Sequence, residues 1–301
     1  MSADVKTLFE AGAHFGHKTS RWHPKMERYI YSAKSGVHII DLNQTKALLD
    51  EALAFIEEIA STGRPVLLVG TKRQSRELIE KAAADTGMPF VSVRWFGGML
   101  TNFKTMQERI KRLKDLQSKM DSGELASRYS KLEVQRFQEE IDTLENNFGG
   151  IKDLGGLPGA VFVADVVTQA NAVKEANKLG VPIVGIVDTN ADPRPINHPI
   201  PANDDAIKTQ ELIIGLVAEA VNRGKAKAKA APKKDDDKTE KTEQKTDSEA
   251  KKTEVKAKEV NEPAKSDEKP AKKPDAKKPA KTAKPKAKLA AKAKTAKKAS
   301  K

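Results

Sequence analysis

Cysteine is absent from the 301 residues of this sequence. Its absence excludes disulfide bonds, thiolate metal sites and thiol nucleophiles, and it fits a protein of the reducing cytosol. The N-terminal residues also lack the apolar segment of a secretory signal. No apolar run approaches the roughly 18 residues that span a bilayer. We therefore expect a soluble, cytoplasmic protein that has no membrane partner.

Aromatic residues are scarce, at 5% of the chain, and residues 225–301 contain none. This segment is rich in Lys, Ala and Pro, and it holds 27 of the 55 basic and 13 of the 42 acidic residues. Its net charge is therefore +14, whereas residues 1–224 carry −1. Such a composition buries too little apolar surface to offset the entropy of ordering. We predict a last helix that ends near residue 222 and a disordered tail over residues 225–301.

Short apolar runs alternate with helical patterns in the middle of the chain. The runs that predict strands are residues 37–42, 66–69, 90–93, 160–164 and 183–187. Continuous β-branched runs are typical of parallel strands that are buried on both faces, and alternation with helices favours a doubly wound sheet. We predict an α/β domain with a mainly parallel, five-stranded, flavodoxin-like sheet, formed by residues 36–103 and 149–224.

Residues 104–148 form an insertion with a different period. Apolar residues recur every three or four positions from Met106 to Met120 and again from Val134 to Phe148, as they do in coiled coils. The first stretch is net basic and the second is net acidic. We predict an antiparallel helical hairpin that projects about 30 Å. Two ordinary packed helices are the alternative.

The N-terminal segment, residues 1–35, combines a short helix with an irregular basic stretch. Between residues 13 and 34, five basic residues stand against Glu27 alone, with His, Trp and Tyr residues between them. Basic side chains bind phosphate and aromatic rings stack on bases, so this composition indicates RNA binding. A solvated loop whose aromatic residues pack into the core is the alternative.

Residues 94–102 read RWFGGMLTN and follow a predicted strand. The two glycines permit a turn at backbone angles that other residues avoid, and Thr101 or Asn102 can cap the next helix. An Arg beside two aromatic residues and bare backbone suits RNA. A strand-to-helix corner that Trp95 and Phe96 merely fill is the structural alternative.

The motifs of nucleotide enzymes are missing. Residues 69–75 read VGTKRQS and begin a helix after a strand, where phosphate can bind. They lack the pattern GxxxxGK[ST], and GxGxxG follows no strand. Asp188 and Asp192 begin like a calcium loop, but Pro193 and Pro199 occupy the positions that require Gly and Glu. We expect no catalytic residues, no cofactor and no metal; a structural Mg²⁺ near Asp188 and Asp192 is the alternative.

Five segments together, in this order, resemble the bacterial small-subunit ribosomal protein S-two family. They are AGAHFGHKTSRWHPKMERYIYSAKSGVHIIDL (residues 11–42), VGTKRQS (69–75), RWFGGMLTN (94–102), IVDTNADP (186–193) and IPANDDAI (200–207). The resemblance covers roughly residues 4–224, and the long tail departs from it. It implies a structural role in the small subunit, a protruding hairpin, and binding to rRNA and neighbouring proteins, including the large mRNA-binding protein S-one.

Two alternatives come from other functional classes: an α/β nucleotide-binding protein or enzyme, and a nucleoid-compacting protein that acts through its basic tail. For the ribosomal interpretation, the candidate rRNA-binding residues are basic, aromatic or amide side chains. They are Lys18, Arg21, Trp22, Lys25, Arg28, Lys72, Arg73, Arg94, Trp95, Asn102, Lys104, Arg109 and Arg112.

Overall fold

The structure, a computed structural model, describes residues 3–230. It begins with helix α1 (Val5–Glu10), which Asp4 caps by accepting a hydrogen bond from the Val5 amide. A small antiparallel sheet follows, with strand order β1-β3-β2. Its strands are β1 (Phe15–Lys18), β2 (Ile30–Lys34) and β3 (Val37–Ile40).

The prediction of an irregular basic segment was wrong in this respect, because two strands and two 3-10 helices lie within it. The turn between β2 and β3 consists of Ser35 and Gly36, with φ angles of 52° and 76°. Two residues with positive φ are what a tight two-residue hairpin requires. Lys34 and Val37 flank the turn as a pair. The Ser-Gly pair was therefore the sequence signal for this hairpin.

The remaining elements alternate as the sequence predicted. The helices are α2 (Leu42–Ser61), α3 (Arg73–Thr86), α4 (Phe103–Asp121), α5 (Glu124–Arg128), α6 (Lys131–Phe148), α7 (Ala170–Lys178) and α8 (Ile207–Ala230). The strands are β4 (Val66–Val69), β5 (Phe90–Val91), β6 (Ala160–Val163), β7 (Ile183–Val187) and β8 (His198–Pro201). None of the helices in residues 3–230 combines the length and the apolar character needed to cross a membrane.

Strands β4 to β8 form one parallel sheet in the order β5-β4-β6-β7-β8. Counted along the chain this is the order 2-1-3-4-5 of flavodoxin-like sheets, so the predicted fold class is confirmed. The membership differs in one strand: residues 37–40 belong to the N-terminal sheet, and His198–Pro201 is the fifth strand. Its two prolines disguised it, but an edge strand tolerates proline because one side of its backbone has no strand to bond.

The main sheet is covered on both faces. Val66 and Leu68 of β4 pack with α2, α3 and α8, whereas Leu67 and Val69 pack with α7, Trp95 and the beginning of α4. Strands β4, β6 and β7 are buried at every residue. Their continuous apolar sequences follow from this two-sided burial.

Helices α4 and α6 form the inserted hairpin, with α5 at its end. The ring of Phe148, at the end of α6, lies 5.2 Å from that of Phe96, before α4 begins, so the second helix returns to the start of the first. Leu113, Leu116 and Ile141 form an apolar cluster of their own. The base is different, because Met106, Ile110 and Phe148 pack into the main core. The hairpin therefore contributes to the core of the sheet domain.

The last helix is longer than the sequence suggested, since α8 extends to Ala230. Residues 225–230 are therefore helical, and the remainder of the predicted tail lies outside the described residues. The extension is held against its neighbours by side chains: the Lys225 ammonium contacts the Thr86 carbonyl, and Lys227 forms an ion pair with Glu57. A Cβ at Gly224 would lie 2.4 Å from the Glu57 carbonyl, so glycine lets α8 approach α2 closely.

These contacts predict where the hairpin can be removed. Replacing residues 113–141 with a four-residue Gly/Ser link should preserve cooperative thermal unfolding, because the deleted apolar cluster packs on itself. Replacing residues 105–147 should lower stability further, because losing a buried Met or Ile costs about 2–5 kcal/mol. Thermal and urea unfolding of both variants would test this. A shorter variant that loses its cooperative transition would contradict the division into two clusters.

Candidate nucleic-acid interface

The N-terminal sheet is docked at the carboxyl end of β7, where Thr189 accepts two of its backbone hydrogen bonds. The His17 amide donates to the Thr189 hydroxyl at 2.8 Å, and the His23 amide donates to the Thr189 carbonyl at 2.7 Å. A Cβ at Gly16 would lie 2.5 Å from Cγ2 of Thr189, so only glycine permits this approach. The basic segment is therefore fixed to one edge of the main sheet.

His17 adds an ionic contact to this attachment. Its Nδ1 lies 3.1 Å from a carboxylate oxygen of Asp188, and its Nε2 lies 3.5 Å from Asp205 and 3.2 Å from the Asn190 amide. The hydrogen bond with Asp188 raises the pKa of His17 above its ordinary value, although partial burial opposes the shift. Protonated His17 therefore links β1 electrostatically to the ends of β7 and β8.

A second cationic group, Lys72, lies at the same edge. Its ammonium is 3.1 Å from Asp165, 3.0 Å from Asp204 and 2.8 Å from Asp205. Asp165 and Asp204 are each 1% exposed. Burial alone would lower the pKa of Lys72, but the three carboxylates outweigh it and raise the pKa. Lys72 is therefore charged, and it neutralises acidic groups that would otherwise be buried together.

The two buried acids titrate in opposite directions. Burial, together with the negative charges of Asp165 and Asp188, raises the pKa of Asp204 to about 7. Burial would also raise the pKa of Asp165, but hydrogen bonds from Thr168 and the contact with Lys72 outweigh it and lower the pKa. Asp165 is therefore ionised at neutral pH, whereas Asp204 holds a proton part of the time.

These contacts fill the position at which sheets of this order bind ligands, the crevice between β4 and β6. Lys72 follows β4 and bonds to Asp165, which follows β6. Beside them, the Gln169 amide donates to the Thr71 hydroxyl across the same crevice. A phosphate placed here would meet buried carboxylates. Lys72, a predicted phosphate contact, is engaged inside the protein.

The predicted alternative of a Mg²⁺ near Asp188 and Asp192 receives no support from the geometry. Asp188 contacts His17, whereas Asp192 accepts three hydrogen bonds from the Arg194 guanidinium, which lower its pKa to about 2. In the described residues, the nearest approach to a metal site is His17, Asp204 and Asp205, with ligand atoms within 4.8 Å of one another. The Lys72 ammonium, bonded to both aspartates, already supplies the positive charge there.

The corner at residues 94–102 is organised by Glu175 of α7. One carboxylate oxygen accepts hydrogen bonds from the Trp95 indole at 3.1 Å and the Gly98 amide at 2.7 Å. The other accepts from the Leu100 amide and from the amide and hydroxyl of Thr101, each at 3.1 Å. Trp95 is 8% exposed, so its ring belongs to the packing of the corner.

The capping expected at the start of α4 takes another form. Asn102 occupies the N-cap position, but its side chain accepts from the Thr105 hydroxyl instead of a backbone amide. Thr101 bonds to Glu175. Gly98 has a φ of 91°, which explains the glycine requirement at this turn.

Most other candidate residues lie on the surface. The exposed cations are Lys18, Arg21, Lys25, Arg28, Arg73, Arg94, Lys104, Arg109 and Arg112, and Asn102 is also exposed. Trp22 is half-buried, with its ring 5.1 Å from that of His38. The Arg28 guanidinium lies over the Tyr29 ring, and Arg112 forms an ion pair with Glu140. The structure thus separates an exposed cationic set from the engaged Lys72 and the buried Trp95.

The exposed cations and the corner share one edge of the sheet. The corner follows β5, and the N-terminal sheet is attached at the end of β7. Three strand spacings of about 4.8 Å separate β5 from β7 in this sheet, or roughly 14 Å. Sequence reasoning missed Glu175 and Asp204, because their roles depend on residues distant in the chain.

Comparisons with known proteins agree with this geometry over most of the chain. Residues 8–224 match a family model described as ribosomal protein S2. Over 234 residues, the chain is 47% identical to the small ribosomal subunit protein uS2 of Syntrophobacter fumaroxidans. This match covers 78% of the chain and 85% of that relative.

The raised pKa of Asp204 predicts a pH-dependent stability. Because its folded pKa is about 7 and an unfolded Asp titrates near 3.9, the folded state binds more protons between these values. The free energy of unfolding should therefore fall as the pH rises through about 7, with a limiting slope of about 1.4 kcal/mol per pH unit. His17, whose pKa is also raised, acts in the same direction.

Asp204→Asn should flatten this dependence, as measured by urea unfolding from about pH 5 to about pH 8. Asp205→Asn is the matched control, because this neighbour is half-exposed and should change the slope less. An unchanged slope in Asp204→Asn would show that the proton is bound elsewhere.

Proposed function

The chain belongs to the ribosomal protein S2 family, and we propose that it is a structural protein of the small ribosomal subunit that binds rRNA and neighbouring ribosomal proteins. We propose further that it works in the cytoplasm and that the mRNA-binding protein S-one is among its neighbours. The S-one proposal rests on the family resemblance.

The observation that carries the rRNA proposal is the placement of exposed cations. The described domain needs local clustering to attract RNA, because residues 1–224 carry a net charge of −1. The N-terminal sheet and the first hairpin helix supply that clustering at one edge of the sheet. Phosphate contacts of this kind fix the orientation of a protein on RNA. We omit Lys72 and Trp95 from the proposed interface because both are engaged inside the protein.

The alternatives are less well supported. A nucleotide-binding enzyme of this fold would use the crevice between β4 and β6, which Lys72, Asp165 and Gln169 fill. A nucleoid-compacting role would depend on the tail, most of which lies outside the described residues, and it would leave the match of residues 8–224 unexplained.

Fractionation of a cell lysate on a sucrose gradient tests the ribosomal role. The tagged chain should sediment with the small subunit and remain there after washing at moderate salt. Accumulation at the top of the gradient, with small subunits free of the chain, would refute the proposal.

Substitution of exposed cations should weaken subunit binding without unfolding the protein. Arg21→Ala combined with Lys25→Ala should reduce the salt dependence of rebinding to small subunits depleted of this protein, by about one unit of slope per phosphate contact. Thermal stability should stay nearly unchanged, because both side chains are exposed. Lys81→Ala combined with Lys208→Ala is the control, since these exposed lysines lie on α3 and α8. Equal losses in both pairs would mean that net charge alone drives binding.

The tail should contribute non-specific affinity. Residues 231–301 carry a net charge of +11 without a single aromatic residue, and such a chain releases counterions from any polyanion. Truncation after Ala230 leaves the contacts of Lys225 and Lys227 intact. The truncated protein should keep its preference for small-subunit rRNA over an unrelated RNA, while its affinity for both falls and its salt slope decreases. Loss of the preference in a folded truncated protein would place specificity in the tail.

A further inference from the structure

One carboxylate, that of Glu175, carries the whole corner between β5 and the hairpin. Its two oxygens accept five hydrogen bonds, and all five donors lie between Trp95 and Thr101. Three of these donors are backbone amides at a helix start, where the chain itself offers them no acceptor. The corner is therefore arranged around a side chain from another element, α7.

Charge matters to this arrangement. Burial would raise the pKa of Glu175, but the hydrogen bonds from Gly98, Thr101, Trp95 and Leu100 outweigh burial and lower it. The side chain is therefore ionised at neutral pH and acts only as an acceptor. A glutamine in its place would turn an NH₂ group toward at least two donors. No orientation of the amide satisfies all five.

The corner controls the direction of the cations that flank it. Arg94 precedes the bonded residues and Lys104 follows them, and both are exposed. Helix α4 begins at Phe103, so the angle at which the hairpin leaves the sheet is set immediately after Thr101. The hairpin carries Arg109 and Arg112 on the same helix.

We propose that Glu175 is a positioning residue for RNA contact, which orients Arg94 and the basic helix of the hairpin without touching RNA itself. This inference rests on the proposed rRNA-binding function. The N-terminal sheet offers an internal comparison, because it is attached through Thr189 and Asp188 and not through α7. Loss of Glu175 should therefore disturb one part of the interface and leave the other in place.

The absence of cysteine makes a direct test practical. Ser118→Cys places a single thiol on the exposed surface of α4, and Ser20→Cys places one on the N-terminal segment. Each thiol is labelled with iron-EDTA, and the protein is rebound to small subunits depleted of it. Hydroxyl radicals then cleave the rRNA nearest each probe. The two cleavage patterns report separately on the hairpin and on the N-terminal segment.

Glu175→Gln should shift or abolish the cleavages from the probe at position 118 and preserve those from position 20. Glu77→Gln is the matched control, because it removes an exposed negative charge on α3 and should change neither pattern. A folded Glu175→Gln protein with both patterns unchanged would overturn the proposal. Equal loss of both patterns would also overturn it, since that result indicates a general loss of folding.

Two further outcomes remain informative. If Glu175→Gln does not fold by circular dichroism, Trp95→Phe withdraws one donor and keeps the other four. It should shift the same hairpin cleavages by a smaller amount, and unchanged cleavages in a folded Trp95→Phe protein would overturn the proposal. If the protein without these substitutions gives no localised cleavage from either probe, the rRNA-binding function fails, and the positioning role fails with it.

Discussion

The ammonium group of Lys72 lies among three carboxylates at the carboxyl edge of the main sheet, and two of these acids are almost completely buried. Without a cation at this position, Asp165 and Asp204 would face each other and Asp188 in a medium that screens charge poorly. Removing one partner from such a group typically destabilises a protein by about 3–5 kcal/mol. The ends of three neighbouring strands, β6, β7 and β8, therefore depend on one lysine that follows β4.

The same edge explains how a domain of net charge −1 can present a basic surface. Its acidic groups are used internally, underneath the elements that carry the cations. Asp188 and Thr189 fasten the N-terminal sheet, and Glu175 fastens the corner that leads to the hairpin. The crevice that related sheets keep open for ligands is filled by these contacts. The sheet thus acts as a scaffold that orients two basic appendages, which is a structural role and requires no chemistry at the crevice.

Much of the fold could be predicted because burial on both faces leaves continuous apolar strands, as in β4, β6 and β7. Strand β8 was missed since its prolines oppose a strand assignment everywhere except at a sheet edge. The N-terminal strands were missed because β2 is mostly exposed and has no apolar run. At the site, Lys72 suggested a phosphate contact because a helix start favours anions. Its true partner Asp204 lies 132 residues later, and no local pattern reports such a pair. Glu175 is likewise separated from its donors by 74 to 80 residues.

The central claim is that exposed cations at one edge of the sheet face rRNA in the small subunit. Competitive acetylation of lysines, followed by mass spectrometry, tests it residue by residue in the free protein and in purified small subunits. Lys18, Lys25 and Lys104 should react more slowly in the subunit, because RNA covers them there. Lys72 should react slowly in both forms, since its ammonium is held by three carboxylates. If Lys18, Lys25 and Lys104 react equally fast in the free protein and in the subunit, the assigned interface is contradicted.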